Sequence, residues 1–406
     1  MDKEMGLSVA TNWDIELLDG LKELSHVKNV FGKMPLDIIG GGRAHQVLPT
    51  VDKEGVKRHV EEAHKRGLTF TYLLNANCLG NIEHKPEEQG KIYNFLGWLS
   101  DIEVDAVTLT NPILIRLVKK SFPKLKIGVS VFAQVSSIQM AQAYEDMGCD
   151  LITLPYFLNR DFKLLESIRK AVKCELQLFV QNACMHSCTT AIAHGCFMSH
   201  ASQVAQGNDL VMEYYAANCA LIKLRNPEEY IKSRWIRPED LRIYKSLGYS
   251  RFKITDRSRS TSWLLNTAKA YNNGKYEGNL ADILSIESPE YKSKHYHPSI
   301  FANVRRLFID QIDRIPSYVR KWVGLQNKGE GRPYIDNQAL DGFLEYFKEI
   351  NCRLISCKDC RYCKTVADKV IRFNEEGKEE YIDMSNDALE DYIKSFELQA
   401  RRDKVK

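Results

Sequence analysis

The chain has no apolar run of the roughly 20 residues that a membrane-spanning helix needs. Its first residues, Met1 to Gly6, include acidic side chains and no apolar stretch, so they do not resemble a secretory signal. The sequence also lacks a G-x-S-x-G elbow, an H-E-x-x-H zinc helix and a P-loop. We therefore expect a cytoplasmic protein without a membrane span, and the common hydrolase and nucleotide-binding motifs give no guide to its chemistry.

What the chain does contain is cysteine, 11 residues in 406. In a reducing compartment, grouped cysteines more often bind metals or clusters than form disulfides. The formal net charge of +4 is compatible with an RNA or an anionic small-molecule substrate and requires neither. With 44% hydrophobic residues, the chain can bury one large core and carry an appendage.

Eight short β-rich runs alternate with helical segments in the first 260 residues. The predicted strands are Leu7–Ala10, Asp37–Gly40, Thr69–Leu74, Ala106–Leu109, Ile127–Val131, Leu151–Leu154, Leu176–Val180 and Phe252–Ile254. This alternation predicts an α/β protein with a parallel sheet, and eight units predict closure into a (β/α)8 TIM-like barrel. An open doubly wound sheet is the alternative, but the first strand–helix turn has no G-x-G-x-x-G fingerprint.

The barrel pattern ends near residue 275. Residues 1–275 therefore form the predicted barrel domain, and residues 276–406 form a predicted α-helical extension with a cysteine-rich motif. Within the barrel, Val56, Val60 and Ala63 share one helical face, which is typical of a helix packed on a sheet.

Functional residues of such barrels lie at the carboxyl ends of the strands. Three arginines follow predicted strands there, Arg43, Arg160 and Arg257, and we predict them as catalytic residues that hold an anionic group of the substrate. Arg43 is preceded by the glycine run Gly40–Gly42. These glycines either bring backbone amides to an anion or form a tight turn, and both interpretations stay open.

Four cysteines follow the seventh predicted strand; we call Cys184, Cys188, Cys196 and Cys219 the first cysteine group. Four thiolates that meet at one point are what a 4Fe–4S cluster requires. Zinc is the alternative metal. The spacing does not match the C-x3-C-x2-C motif of radical-SAM enzymes, and for the isolated Cys149 and Cys174 simple burial is the preferred interpretation.

The C-terminal extension holds the second cysteine group, Cys352, Cys357, Cys360 and Cys363. The last three form two overlapping C-x2-C steps, which are typical of ferredoxin-type cluster binding, with Cys352 as the nearest fourth ligand. A structural zinc site is the alternative, although such sites more often use two separated pairs. We hypothesise that a second 4Fe–4S cluster here relays electrons from a donor protein to the first.

Two segments resemble the peptidase U-32 family, also called collagenase-like. One is the strand that runs from Glu175 to the first cysteine, Cys184. The other resembles the family's K-I-E-G-R element: Lys253, Ile254 and Arg257 fit it, whereas Thr255 and Asp256 replace its Glu and Gly. The resemblance covers about residues 5–275.

The resemblance to that family implies a barrel with a 4Fe–4S cluster held by four cysteines. The resemblance assigns these ligands by position to the first cysteine group, with Cys78 as an alternative because one branch takes a ligand from an early loop. Several members hydroxylate transfer RNA, ribosomal RNA or a quinone precursor without O2, some with prephenate as the implied oxygen donor, and some work as pairs.

The leading hypothesis is therefore an iron–sulfur redox enzyme that hydroxylates or otherwise modifies RNA or a small ring-containing metabolite in the absence of oxygen. A collagenase-like peptidase is the first alternative, with Cys78 and His45 as an imaginable nucleophile and base. A cluster-bearing subunit of a hetero-complex is the second.

Overall fold

Eight parallel strands close into a barrel in chain order, as the alternating pattern predicts. The computed structural model describes residues 4–205, 214–286, 321 and 331–403. The strands are β1 (Gly6–Ala10), β2 (Val27–Gly32), β3 (Thr69–Leu74), β4 (Ala106–Leu109), β5 (Lys126–Val129), β6 (Leu151–Thr153), β7 (Glu175–Phe179) and β8 (Arg251–Ile254). The predicted fold class is confirmed.

Helices surround the barrel and bury the apolar faces that the sequence indicates. They are α1 (Ile15–Lys22), α2 (Lys53–Lys65), α3 (Pro86–Asp101), α4 (Pro112–Ser121), α5 (Ile138–Asp146), α6 (Phe162–Ala171), α7 (Ala191–His200), α8 (Tyr214–Arg225), α9 (Glu228–Lys232), α10 (Leu241–Ser246) and α11 (Thr261–Asn273). Val56, Val60 and Ala63 are fully buried on α2. Within the described residues, no helix combines the length and apolar character needed to cross a bilayer.

The second strand lies ten residues before the predicted one, and the Asp37–Gly40 prediction is wrong. β2 is Val27–Gly32, which buries Val27, Val30 and Phe31 and pairs with β1 and β3. The carboxylate of Asp37 accepts hydrogen bonds from the backbone of Ile39 and Gly40 at 3.0 and 2.5 Å. This turn ends any extended structure, so the apolar run after Asp37 belongs to the loop that leaves β2.

The barrel interior carries polar side chains where branched aliphatic residues are more usual. The Gln177 side chain donates to Ser8 Oγ at 3.1 Å and accepts a hydrogen bond from Thr153 Oγ1 at 3.1 Å. Side chains from β1, β6 and β7 thus contribute to one buried hydrogen-bonded layer across the barrel.

The C-terminal region packs onto the same core as the barrel. It comprises β9 (Tyr334–Ile335), α12 (Tyr346–Glu349), α13 (Cys357–Cys360), α14 (Tyr362–Val370), β10 (Ile371–Arg372) and α15 (Glu375–Asp403), with β9 antiparallel to β10. Phe343 stacks near Trp235 with ring centroids 5.7 Å apart. The long helix α15 packs against α8 in a separate apolar cluster that includes Leu221 and Leu389. The barrel and extension therefore contact each other closely.

Candidate functional site

The loop that leaves β2 crosses the carboxyl end of the barrel, and its glycines are needed for close packing. The N–H of Gly41 donates to Ser202 Oγ at 2.8 Å, while Gly40 already donates to Asp37. A Cβ added to Gly42 would collide with the ring of Phe132. Since two of the three amides have protein partners, the structure favours the tight-turn interpretation of this run over an anion cradle.

A buried charge network lies beneath this loop. Lys33 Nζ lies 3.1 Å from Asp37 Oδ2, and both side chains are almost completely buried. The hydroxyl of Tyr72 donates to the same carboxylate oxygen at 3.1 Å. Burial lowers the pKa of Lys33, and the neighbouring Asp37 opposes that shift. The pair is thus internally compensated and fixes the start of the loop.

A second network surrounds Asp256 just beyond β8. Its carboxylate accepts from Arg259 Nε at 2.7 Å, from Ser258 Oγ at 2.5 Å and from Arg43 Nη2 at 3.3 Å. Burial acts to raise the pKa of Asp256, but Arg259 and Arg43 outweigh it and hold that pKa below its usual range. The predicted site residue Arg43 is therefore tied to strand β8, with about a quarter of its side chain exposed.

Two further cations in the barrel form no ion pair within the described residues. Arg257 is buried, and its guanidinium donates to the carbonyl of Lys33 at 3.5 Å. Lys253 Nζ lies 4.1 Å from the ring centroid of Phe31 and 5.8 Å from that of Phe179. Burial first, and then Arg257, lower the pKa of Lys253 to about 7. Arg257 thus brings an unpaired positive charge into the barrel, and Lys253 adds a second one below a pH of about 7, which suits an anionic ligand.

The buried amine predicts an unusual pH dependence of stability. Because the pKa of Lys253 falls from 10.5 to about 7 on folding, the unfolded chain binds more protons than the folded chain between those values. The free energy of unfolding should therefore rise with pH across that window and fall as pH drops through about 7. Replacing Lys253 by methionine should stabilise the protein most near pH 6 and progressively less towards about pH 10.

Urea unfolding of Lys253→Met at several pH values measures this effect. Lys170→Met is the control, because Lys170 forms only an exposed ion pair with Glu166. An identical pH profile for wild type and Lys253→Met would show that Lys253 stays protonated in the folded protein.

Three members of the first cysteine group lie near one tyrosine at the barrel mouth. Tyr156 follows β6 in a short helical turn; its hydroxyl hydrogen-bonds Cys184, and it also lies within electrostatic reach of Cys188 and Cys219. Burial, followed by these thiols, raises the pKa of Tyr156 well above its usual value. Burial also raises the pKa of the Cys219 thiol, and Lys223 works against that shift. Cys184, Cys188 and Cys219 are therefore brought together.

Cys196 and Cys78 lie at a different contact, between α7 and the loop after β3. The N–H of Asn77 donates to Ser199 Oγ at 2.7 Å, and a Cβ on Gly195 would collide with the Asn77 side chain. The residues that precede Cys78 and Cys196 in sequence therefore touch one another. Neither thiol is among the groups that shift Tyr156 or Cys219, so the fourth position of the group is not assigned by contact.

The second cysteine group is also gathered in space, and Arg160 belongs with it. The hydroxyl of Tyr346 lies 3.1 Å from Cys360 Sγ. That hydrogen bond, followed by burial and the charges of the nearby thiols, raises the pKa of Tyr346 to about 12. Burial raises the pKa of Cys363 to about 11, against the influence of Arg160 and Arg234. Arg160, predicted as a rim residue for substrate, thus lies beneath the extension and is 2% exposed.

Neither cysteine group is arranged as a finished metal site. Across residues 4–205, 214–286 and 331–403, no three His, Cys, Asp or Glu side chains surround a single point closely enough to hold a metal ion. All four thiols of the second group nevertheless lie within electrostatic reach of one another's neighbours. Cys352, Cys360 and Cys363 act on Tyr346, and Cys357 acts on Cys363.

The imagined nucleophile and base of a peptidase are not brought together. His45 Nδ1 hydrogen-bonds the carbonyl of Ala201 at 2.8 Å, and Cys78 Sγ accepts from the N–H of Gly80 at 3.4 Å. No contact joins Cys78 to His45 among the described residues. This pair therefore gives no geometric support for covalent hydrolysis.

Comparison with known proteins identifies the family. A sequence model described as Peptidase family U32 matches residues 43–279, more than half of the chain. The chain belongs to peptidase family U32. An uncharacterised protease of Methanocaldococcus jannaschii is 31% identical over 336 residues, which are 83% of this chain and 86% of that protein. The resemblance seen in the sequence is thereby confirmed.

Two further relatives of this U32 protein are more distant. The tRNA hydroxylation protein P of Haemophilus influenzae is 25% identical over 185 residues, covering 44% of this chain and 38% of that protein. A solved U32 peptidase has 22% identity and a TM-score of 0.48, covering 62% of this chain and 92% of the other.

The U32 element on β8 explains an unusual backbone conformation. Asp256 stands where the family's K-I-E-G-R element has glycine, and its φ of 86° lies in the left-handed region that favours glycine. Aspartate tolerates that region better than most residues, and here its carboxylate binds two arginines. The departure from the family element is therefore compensated by an ion-pair network within this chain.

Several site residues of this U32 protein could not be identified from the sequence. Lys33, Lys223 and Arg234 carry charge into the barrel mouth or towards a cysteine group, yet none lies in a recognisable motif. The partners of Arg234 come from residues 186 and 347, far from it in the chain. Only the fold brings these groups together.

Proposed function

We propose that this U32 protein is an oxygen-independent hydroxylase of transfer RNA that holds a 4Fe–4S cluster on the first cysteine group. The observation that carries the proposal is the convergence of Cys184, Cys188 and Cys219 around Tyr156 at the barrel mouth. The barrel mouth is where enzymes of this fold place their chemistry. The named tRNA hydroxylation relative supplies the reaction class.

The residues present fit such a cluster in their chemistry and in their surroundings. Three thiols come from two separate segments, as is usual when a cluster is held between loops. Lys223 lies beside Cys219 and donates to the carbonyl of Ala183, so a positive charge supports the thiolates that ligation requires. Cys196 or Cys78 supplies the fourth thiolate. When bound, the cluster supplies one-electron transfer at the mouth.

The protein's own side chains give the substrate site its charge. Arg257 and Lys253 have no carboxylate partner in the described structure, so a carboxylate or phosphate of the oxygen donor or of the RNA would be attracted to them. Arg43 is partly exposed and is fixed by Asp256 at the entrance. Arg257 and Arg43, joined by Lys253 when that amine is protonated, orient an anionic group.

A peptidase is the second candidate, since the Methanocaldococcus relative is named as a protease. Within the described residues Cys78 and His45 form no catalytic pair that would support a peptidase, and the sequence contains no serine elbow or zinc helix. Hydrolysis would therefore depend on residues that do not form a recognised catalytic arrangement.

Anaerobic purification followed by an RNA assay tests the proposal. We expect a brown protein with absorbance near 400 nm that adds one oxygen to unmodified transfer RNA when given prephenate and an acceptor for the two electrons that hydroxylation releases, as nucleoside mass spectrometry would show. Cys184→Ala/Cys188→Ala should lose this activity, whereas Cys174→Ala should keep it, because Cys174 lies outside both groups. If the protein adds oxygen to a free aromatic metabolite and not to RNA, that metabolite takes the place of RNA as the proposed substrate. A colourless wild-type protein that cleaves gelatin would overturn the proposal in favour of the peptidase.

A further inference from the structure

Cationic side chains converge on the second cysteine group from the barrel side. Arg160 and Arg234 are 2% and 4% exposed, and both act on the buried thiol of Cys363. His186 faces four cations, Arg234, Arg160, Arg353 and Lys232. Of these four cations Arg160 and Arg234 are buried, and buried positive charge is costly unless an anion compensates it.

Protein carboxylates neutralise only two of these cations. Arg353 lies 3.2 Å from Asp161, and Lys232 lies 2.7 Å from Glu229. Within the described residues, Arg160 and Arg234 form no ion pair with a carboxylate. The ionisable groups that act most strongly on Arg160 include the thiols of Cys363 and Cys352. The cysteine group is therefore a source of negative charge beside the two arginines.

Arg160 is held firmly in position but has one nitrogen without a partner. Its Nη1 and Nη2 donate to the carbonyls of Ile231 and Ser233 at 2.6 and 2.7 Å. Its guanidinium carbon lies 4.6 Å from the ring centroid of Phe343 and 4.8 Å from that of Trp235. Its buried Nε–H has no hydrogen-bond acceptor. Neutral carbonyls and rings orient the cation without cancelling its charge, so it remains available to an anion.

Arg234 links this region to the first cysteine group. Its Nε and Nη2 lie 3.1 and 2.9 Å from the imidazole nitrogens of His186, which stands between Cys184 and Cys188 in the chain. Its guanidinium also lies 5.7 Å from the ring centroid of Phe347 in the extension. One side chain thus touches the loop of the first group and acts on a thiol of the second.

We propose that the second cysteine group binds a 4Fe–4S cluster and that Arg160 and Arg234 are its counter-charges. A cluster ligated by four thiolates carries a net negative charge, which supplies the anion that the two buried arginines lack. The overlapping C-x2-C steps favour a cluster over zinc. Arg234 joins the two regions, since it contacts His186 in the loop of the first group and acts on Cys363 of the second, and the hypothesised electron relay needs such a connection. The cluster does not depend on the proposed function, because the first cysteine group contributes no ligand to it.

The first test counts metal in anaerobically purified full-length protein. Wild type should hold about eight iron and eight sulfide per chain, and Cys357→Ala/Cys360→Ala should hold about four of each. Cys184→Ala/Cys188→Ala should retain the second cluster, which separates this proposal from the proposed function. Cys149→Ala is the matched control and should keep the wild-type content. Iron that is unchanged by Cys357→Ala/Cys360→Ala, or zinc that this variant loses, would overturn the proposal.

The second test examines the two arginines through the reduction potential of the second cluster. It uses EPR-monitored titration in the Cys184→Ala/Cys188→Ala background, so that one cluster is observed. Removal of a nearby positive charge destabilises the reduced, more negative cluster, so Arg160→Met and Arg234→Gln should each lower the midpoint potential. Arg353→Met, whose cation is already paired with Asp161, should change it less. Potentials unaffected in Arg160→Met and Arg234→Gln would refute their role as counter-charges.

Discussion

Replacing Asp256 by alanine is expected to lower the free energy of unfolding by about 3–5 kcal/mol. The loss arises mainly because Arg259, 2% exposed, would keep its buried charge without a carboxylate partner. Ser258 and Arg43 would lose the same acceptor. Removing one partner of a buried pair costs far more than removing an exposed one. Urea unfolding measured by circular dichroism gives the value.

The backbone conformation at Asp256 also predicts how the stabilities of different Asp256 variants should rank. Its φ of 86° costs an alanine about 1 kcal/mol that glycine does not incur. Asp256→Gly should therefore be less destabilising than Asp256→Ala, although both remove the carboxylate. Asp256→Asn should be mildest, because asparagine tolerates the left-handed region and keeps an acceptor for Arg259.

Glu166→Ala is the matched control for these variants. It removes an exposed carboxylate that pairs with Lys170, so stability should change by at most about 0.5 kcal/mol. If Asp256→Ala and Asp256→Gly proved equally stable, the backbone argument would be wrong. If both lay within the control's range, the buried network would contribute nothing measurable.

The barrel could be predicted from sequence because its signals are local. Each strand–helix unit has its own apolar periodicity, and seven of the eight strands lie within two residues of the predicted limits. The second strand was misplaced because Ile38 and Ile39 resemble a strand, whereas Asp37 turns the chain there through its carboxylate. A side-chain contact with Lys33 and Tyr72 therefore decided a local structure that periodicity alone could not.

Only part of the candidate site could be predicted from the sequence, because sequence signals are local. Cysteine spacing is visible along the chain, so both cysteine groups could be named from sequence. The charges around them could not be assigned, because their partners are distant. Arg160 follows a barrel strand and looked like a substrate residue, yet it donates to carbonyls 71 and 73 residues further on. Lys253 resembled only a family motif until the structure showed its burial and missing counter-charge.

Replacing Cys219 by alanine is expected to reduce the iron content of the first site by at least about tenfold, as loss of a direct ligand should cost no less than loss of a supporting contact. Cys219 lies on α8, and α15 holds that helix in place through apolar contacts with Leu221 and Leu224. The thiol is thus presented by a supported helix beside Cys184 and Cys188. Cys184→Ala and Cys188→Ala should have effects of the same size.

The fourth ligand is decided by comparing Cys196→Ala with Cys78→Ala, both in the Cys357→Ala/Cys360→Ala background so that a single cluster is counted. We expect Cys196→Ala to lose the cluster and Cys78→Ala to keep it, because Cys196 belongs to the same chain segment as the other mouth ligands. The reverse result would assign the ligand to the loop after β3, which touches α7 beside Cys196. Cys174→Ala should leave iron unchanged. Retention of full iron content in Cys219→Ala, with loss in both of the other variants, would replace Cys219 by Cys78 in the ligand set.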